Sequence, residues 1–162
     1  MWITPSGIPR YNLQQKDLVK VHLETGRILS VGNSRLKPSI EWRMHASIYN
    51  KLKIGAIVHT HSPYTLAMAI SVNELQHIIE EAKIVVGDPV IIPNKPSGSI
   101  DLADAVSDSF IENKVRAVII RNHGVVAVGD NIQQARAVIE SLEEWARIFT
   151  ICKVLDGPKY IL

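Results

Sequence analysis

The run Ile57-Val58-His59-Thr60-His61-Ser62-Pro63 constrains this chain more than any other stretch, because it sets two imidazoles one residue apart at the end of an apolar segment. On an extended strand successive side chains alternate faces, so His59 and His61 point the same way and Thr60 points the other. Two same-face histidines on an otherwise apolar strand need either separate polar partners or one shared ion. Unrelated metal-binding folds use the same spacing, cupins and amidohydrolases among them, so the pair by itself leaves the fold open.

Two further residues are candidates to complete a metal shell. His123 follows the strand-like run Val115-Arg116-Ala117-Val118-Ile119-Ile120-Arg121 and stands just before Gly124, while Glu41 opens a helix after Pro38-Ser39. Three neutral imidazoles plus an oxygen make a common zinc shell, one in which a substrate can displace the oxygen. In a first helical turn the positive end of the helix macrodipole stabilises an ionised carboxylate, which suits Glu41 to a ligand or general-base role and equally to a solvated one. His22, out of phase with Val19, Val21 and Leu23, and His77 are read as surface or internally satisfied rather than as ligands.

Composition narrows the classes. With 162 residues and 46 % hydrophobic content the chain suffices for one domain, 1–162, around one core. Eighteen Lys plus Arg against sixteen Asp plus Glu leave a formal charge of +2 with the signs interspersed, which argues against nucleic acid as a partner. The single cysteine, Cys152, cannot form an intramolecular disulfide, in keeping with a reducing cytoplasm. No apolar stretch approaches the roughly 20 residues of a membrane span, and the N-terminus lacks the pattern of a secretory leader.

The rest of the chain reads as alternating strands and helices. Met1 to Thr4 predicts a strand running into the Pro5-Ser6-Gly7 turn, and Asp17 to Leu23 and Arg27 to Val31 predict a hairpin about Glu24-Thr25-Gly26. Ser39 is expected to cap a helix carrying Ile40, Met44 and Ile48, with Glu41 and His45 on another face; Ser62 and Pro63 start a helix through Ile70. The i, i+3, i+4, i+7 spacing of Leu75, Ile78, Ile79 and Ala82 predicts an amphipathic helix over 74–82. A short strand Val90 to Ile92, a turn-rich loop Pro93 to Ser99, and a helix with Leu102, Val106 and Phe110 come next. Val125 to Val128 is apolar again, and Asp130 is expected to cap a helix from Asn131 to about Leu155, with Ile132, Ala135, Ile139, Leu142, Trp145 and Phe149 inward. This order predicts a sheet covered by helices and disfavours a cupin barrel.

With these segments placed, the chain resembles the class II aldolase/adducin family, and within it the fuculose-phosphate aldolase branch. The resemblance rests on Ile3-Thr4-Pro5-Ser6-Gly7-Ile8-Pro9, on Lys37-Pro38-Ser39-Ile40-Glu41-Trp42-Arg43-Met44-His45, on Ile57-Val58-His59-Thr60-His61-Ser62 and on Arg121-Asn122-His123-Gly124. It implies a three-layer α/β/α fold with a central, mostly antiparallel mixed sheet, and a homotetramer with zinc, or another divalent metal, at an interface between subunits. By motif position the ligands are His59, His61 and His123 with Glu41, which also moves protons; His45 matches the pattern without being a ligand. The implied substrates are a phosphorylated ketose such as fuculose 1-phosphate, or dihydroxyacetone phosphate plus an aldehyde, reacting through a metal-stabilised enediolate. The implied phosphate site is Ser6, Gly7 and Ser39, the last suited to it by its place at a helix N-terminus.

The same resemblance marks departures. The family's usual N-terminal helix and strand, with a Gly-Gly-Asn-x-Ser phosphate motif, are not found in this sequence, and Ile40 stands where a second serine is usual. The tyrosine that some aldolases supply from a neighbouring subunit has no counterpart around Glu80-Glu81. These departures define the alternatives: a weakly catalytic, metal-retaining module of the adducin type for binding or oligomerisation, or a related sugar-phosphate epimerase or dehydratase. Glutamate at position 41 disfavours the epimerase, which usually has aspartate there, and does not separate the aldolase from the dehydratase.

Overall fold

Val19 and Val21, two apart with Lys20 between them, set a strand with one dry face, and the strand that forms has both valines fully buried and the lysine exposed. A computed structural model describes residues 1–31 and 36–162. They fall into two compact units, Met1–Lys53 with Lys95–Ser107, and Ile54–Asn94 with Asp108–Leu162. The fold class is α/β with a mixed sheet and helices.

In the first unit β1 (Trp2–Ile3), β2 (Val19–Val21) and β3 (Ile28–Val31) form an antiparallel sheet in that order. The expected hairpin forms, and Gly26 is required at its turn. Its φ is +68°, and a Cβ there would run into the ring of Trp42. Helix α1 (Trp42–Lys51) buries Met44 and Ile48 as expected, but it starts later than the sequence suggests. Ser39 lies outside it, Glu41 takes the N-cap position, and Ile40 is 60 % exposed. The cause is tertiary. The Ser39 amide donates to the Thr4 carbonyl at 3.0 Å and Pro38 bridges to Pro5, so the chain is held extended until past Ser39.

The second unit carries a four-stranded sheet. Its elements are β4 (Ala56–Thr60), helix α2 (Pro63–Ser71), helix α3 (Glu80–Val85), β5 (Val90–Ile92), β6 (Ala117–Ile120), β7 (Gly124–Gly129) and helix α5 (Ile132–Val154). Helix α4 (Ile100–Asn113) begins in the first unit and ends in the second, burying Leu102, Val106 and Phe110 as predicted. The strand order is β4-β7-β6-β5, antiparallel except for the β5–β6 pair. Parallel neighbours need a long crossover, and the segment containing α4 supplies it. The central strands β6 and β7 are apolar throughout and buried on both faces, as continuous rather than alternating apolar runs require.

Helix α5 packs Ala135, Val138, Leu142, Trp145, Ala146 and Phe149 into this unit's core with Met68, Ile119 and Val125. Ile132, expected inward, is exposed. The cap of α5 is Asn131 rather than Asp130: its side chain accepts from the Gln134 amide at 2.9 Å, while the Asp130 amide donates to Gln134 Oε1. The larger correction concerns residues 74–82, where the helix begins only at Glu80. Leu75, Ile78 and Ile79 do pack against the core, so the apolar spacing reports burial. The carbonyls that would build the helix are taken from elsewhere: Gln76 O accepts from the Trp145 indole at 3.0 Å and His77 O from the Leu162 amide at 2.8 Å. Among the described residues no helix is long and apolar enough to cross a membrane.

Candidate metal centre

Strand pairing delivers the histidines. On β4, His59 lies opposite Val126 and Thr60 opposite Val125 of β7, and His61 follows at the end of the strand. His59 Nδ1 lies 2.9 Å from the Val125 carbonyl. A carbonyl only accepts, so in the neutral ring the proton sits on Nδ1 and the lone pair is left on Nε2, where this imidazole can ligate. His123 belongs to the Arg121-Asn122-His123 turn joining β6 to β7, where Ile120 pairs with Gly124. Asn122 adopts φ +59°, and the His123 amide donates to the Ile120 carbonyl at 3.1 Å.

The three rings converge. Centroid separations are 5.2 Å for His59–His61, 5.2 Å for His59–His123 and 5.6 Å for His61–His123. One nitrogen from each lies within 4.8 Å of the others, and among the described residues this is the group that could hold a metal ion. A tetrahedral ion with imidazole nitrogens at about 2.0–2.1 Å sets those nitrogens about 3.4 Å apart, so the rings would draw together by up to about 1.4 Å to hold one. Gly124 makes the convergence feasible: a Cβ there would stand 2.5 Å from Thr60 O and 2.9 Å from both His59 Cε1 and His61 Cδ2. The donor set of three imidazoles fits a borderline divalent ion.

The other predicted site residues lie in the first unit. The Ser6 amide donates to Lys37 O at 2.9 Å and, with the Pro5–Pro38 bridge and the Ser39–Thr4 bond, brings Ser6, Gly7 and Ser39 into one neighbourhood. Gly7 has φ +78° and open space beside it. Glu41 is 4 % exposed; its amide donates to Ser39 Oγ at 3.3 Å and its Oε2 accepts from the Gly98 amide at 3.2 Å. Gly98 is held at its other end too, since Arg43 Nη1 donates to its carbonyl at 3.4 Å. Gly98 has φ +71°, and a Cβ there would meet Ile40 Cγ1 at 2.8 Å. Nothing in the sequence points to this partner beyond a glycine in a turn-rich loop. His77, read as a non-ligand, bonds Asp88 Oδ1 at 2.6 Å and stacks on Trp145, and neither it nor His22 joins the trio.

An α/β fold with a mixed sheet and a three-histidine cluster defines a class of candidate mononuclear metal proteins. The particular family follows from the sequence as a whole: residues 1–150 match the Class II Aldolase and Adducin N-terminal domain, and the chain belongs to that family. It is 38 % identical over 149 residues to an L-fuculose phosphate aldolase of Methanococcus maripaludis, covering 91 % of this chain and 77 % of the relative. It is 34 % identical over 160 residues to a 5-deoxy-D-ribulose 1-phosphate aldolase of Bacillus thuringiensis serovar kurstaki, covering 98 % and 72 %. A solved L-fuculose 1-phosphate aldolase superposes with a TM-score of 0.84 at 28 % identity, over 100 % of this chain and 74 % of that one. The chain is thereby an enzyme of the lyase class, of class II aldolase type.

Proposed function

We propose that the protein is a zinc-dependent aldolase that cleaves or forms a phosphorylated ketose of the fuculose 1-phosphate kind, with dihydroxyacetone phosphate and an aldehyde as the other side of the reaction. The observation that carries this reading is the convergence of His59, His61 and His123 in a chain of this family. These three imidazoles would hold the ion, and a divalent cation there supplies Lewis-acid polarisation of the substrate carbonyl.

The chain's own groups do the rest. Glu41, assigned by its motif position, takes a proton from the carbon beside the carbonyl in the synthetic direction and returns one to that carbon after the carbon–carbon bond breaks in cleavage. Its buried setting and the Gly98 amide favour a single carboxylate orientation. The Gly7 N–H and the hydroxyls of Ser6 and Ser39 receive the phosphate, the Ser6 and Ser39 amides being bonded to the Lys37 and Thr4 carbonyls. The same reading takes residues 1–162 as one working domain, assembled as a homotetramer in the cytoplasm; light scattering on the purified chain tests the assembly.

Metal analysis and retro-aldol assays test the function together. The expected result is near-stoichiometric zinc and cleavage of L-fuculose 1-phosphate or 5-deoxy-D-ribulose 1-phosphate, both lost in a His59→Ala, His61→Ala double variant. A chain that takes up no divalent metal at neutral pH sinks the proposal. Full zinc occupancy without turnover or binding of any phosphorylated ketose at millimolar concentration favours the adducin-type module instead.

A further inference from the structure

Helix α2 starts two residues after His61, and its first turn is not capped from within. A helix start leaves backbone amides without intrahelical acceptors. Pro63 has no N–H to satisfy, and Ser62, at the N-cap position, makes no side-chain cap bond; its hydroxyl lies 2.7 Å from Thr60 Oγ1 instead. The next two amides go to a residue far along the chain. Tyr64 N donates to Glu143 Oε1 at 3.0 Å, Thr65 N to Glu143 Oε2 at 2.9 Å, and the fully buried Thr65 hydroxyl to the same Oε2 at 2.7 Å.

We infer that Glu143 is a positioning residue for the histidine centre: it fastens the first turn of α2 to α5 and so fixes the direction in which the chain leaves His61. The inference rests on the metal-centre reading of the trio. Three donors converge on one carboxylate at the positive end of a helix, so both hydrogen bonding and the helix dipole favour the contact. Glu143 is itself anchored, because its neighbours Leu142, Trp145 and Ala146 are in the core. Between His61 and Thr65 the chain has little slack. Proline fixes φ at 63, and the Ser62 hydroxyl is tied back to Thr60. The other two rings are placed independently, His59 by the Val125 carbonyl and His123 by its turn, so loss of Glu143 acts on one ligand of three.

The test is a zinc competition titration against a chromogenic chelator on the full chain, comparing wild type with Glu143→Ala, Glu143→Gln and Asn131→Ala. Asn131 caps α5 without touching the α2 turn, so its variant serves as a control for general destabilisation. Partners that orient metal ligands are worth about 10- to 100-fold in affinity, and one step further out we expect about tenfold weaker zinc binding in Glu143→Ala. Glu143→Gln, which keeps one acceptor oxygen, should fall between, and Asn131→Ala should bind as wild type does. The visible bands of the cobalt-loaded Glu143 variants should shift as His61 moves, while the cobalt-loaded control keeps the wild-type spectrum. Should Glu143→Ala fail to fold, Glu143→Gln carries the comparison. Equal affinity in wild type and Glu143 variants overturns the inference while the metal-centre reading stands, as does equal weakening in the control. A wild-type chain that takes up no zinc overturns both.

Discussion

The histidine trio and the Glu41 region each fix polar side chains in place, and they do so by different means. The trio is held by strand register: β4 against β7 places His59, the strand end places His61, and a three-residue turn between two buried strands places His123. Glu41 is held by hydrogen bonds between loops, from the Gly98 amide to its carboxylate and from its own amide to Ser39. Register is set by many apolar residues and ladder bonds at once. A loop clamp hangs on a few backbone groups, so single changes there should shift chemistry with little effect on the fold.

The largest expected effect probes the loop-held side. Glu41→Gln should lower the retro-aldol rate by about 10²- to 10⁴-fold, the usual worth of a positioned proton-transfer group, with circular dichroism unchanged. A loss of less than tenfold would remove Glu41 from the proton-moving role. Gly124→Ala tests the register-held side: with Thr60 O only 2.5 Å from the new Cβ, the strands must shift, at about 1–3 kcal/mol in urea unfolding and with weaker zinc uptake. Unchanged zinc affinity in that variant would show that ring convergence does not depend on the close approach of β4 and β7.

Smaller effects sharpen the contrast. Ile40→Ser restores the hydroxyl that the family usually has, and because Ile40 is exposed the fold should be indifferent. A regained charge-assisted bond to phosphate is worth about 1.5 kcal/mol or more, which reads as roughly tenfold lower KM for the phosphorylated substrate. Gly98→Ala forces a side chain into a left-handed position against Ile40, costing about 1 kcal/mol, and should lower kcat through Glu41. If kcat holds while stability falls, the Gly98 amide supports the loop and not the carboxylate.

What was legible in the sequence follows the same division. Period-two alternation points to β2, apolar runs point to β4, β6 and β7, and the His-x-His spacing with Asn122-His123-Gly124 points to the trio, because strand geometry ties residue number to direction. Helix boundaries were less legible. Ser39 and Asp130 are good capping residues by type, yet Glu41 and Asn131 take those places: the Ser39–Thr4 backbone bond holds the chain extended ahead of α1, and the Asn131 and Gln134 side chains exchange bonds with the backbone at the start of α5. Residues 74–79 carry a helical apolar rhythm and pack without forming a helix because Trp145 and Leu162 claim their carbonyls. Glu143 and Gly98 have no sequence signature, as each acts through partners at least 55 residues away.

The acceptor for the His59 ring proton is a main-chain oxygen, not a side chain. No side-chain change at position 125 deletes that oxygen, so what limits the residue is its packing in the core and not its bond to the imidazole. Drift at the interior of β7 and retention of the chemistry at its edge are therefore compatible, and a lineage can repack the one without retuning the other.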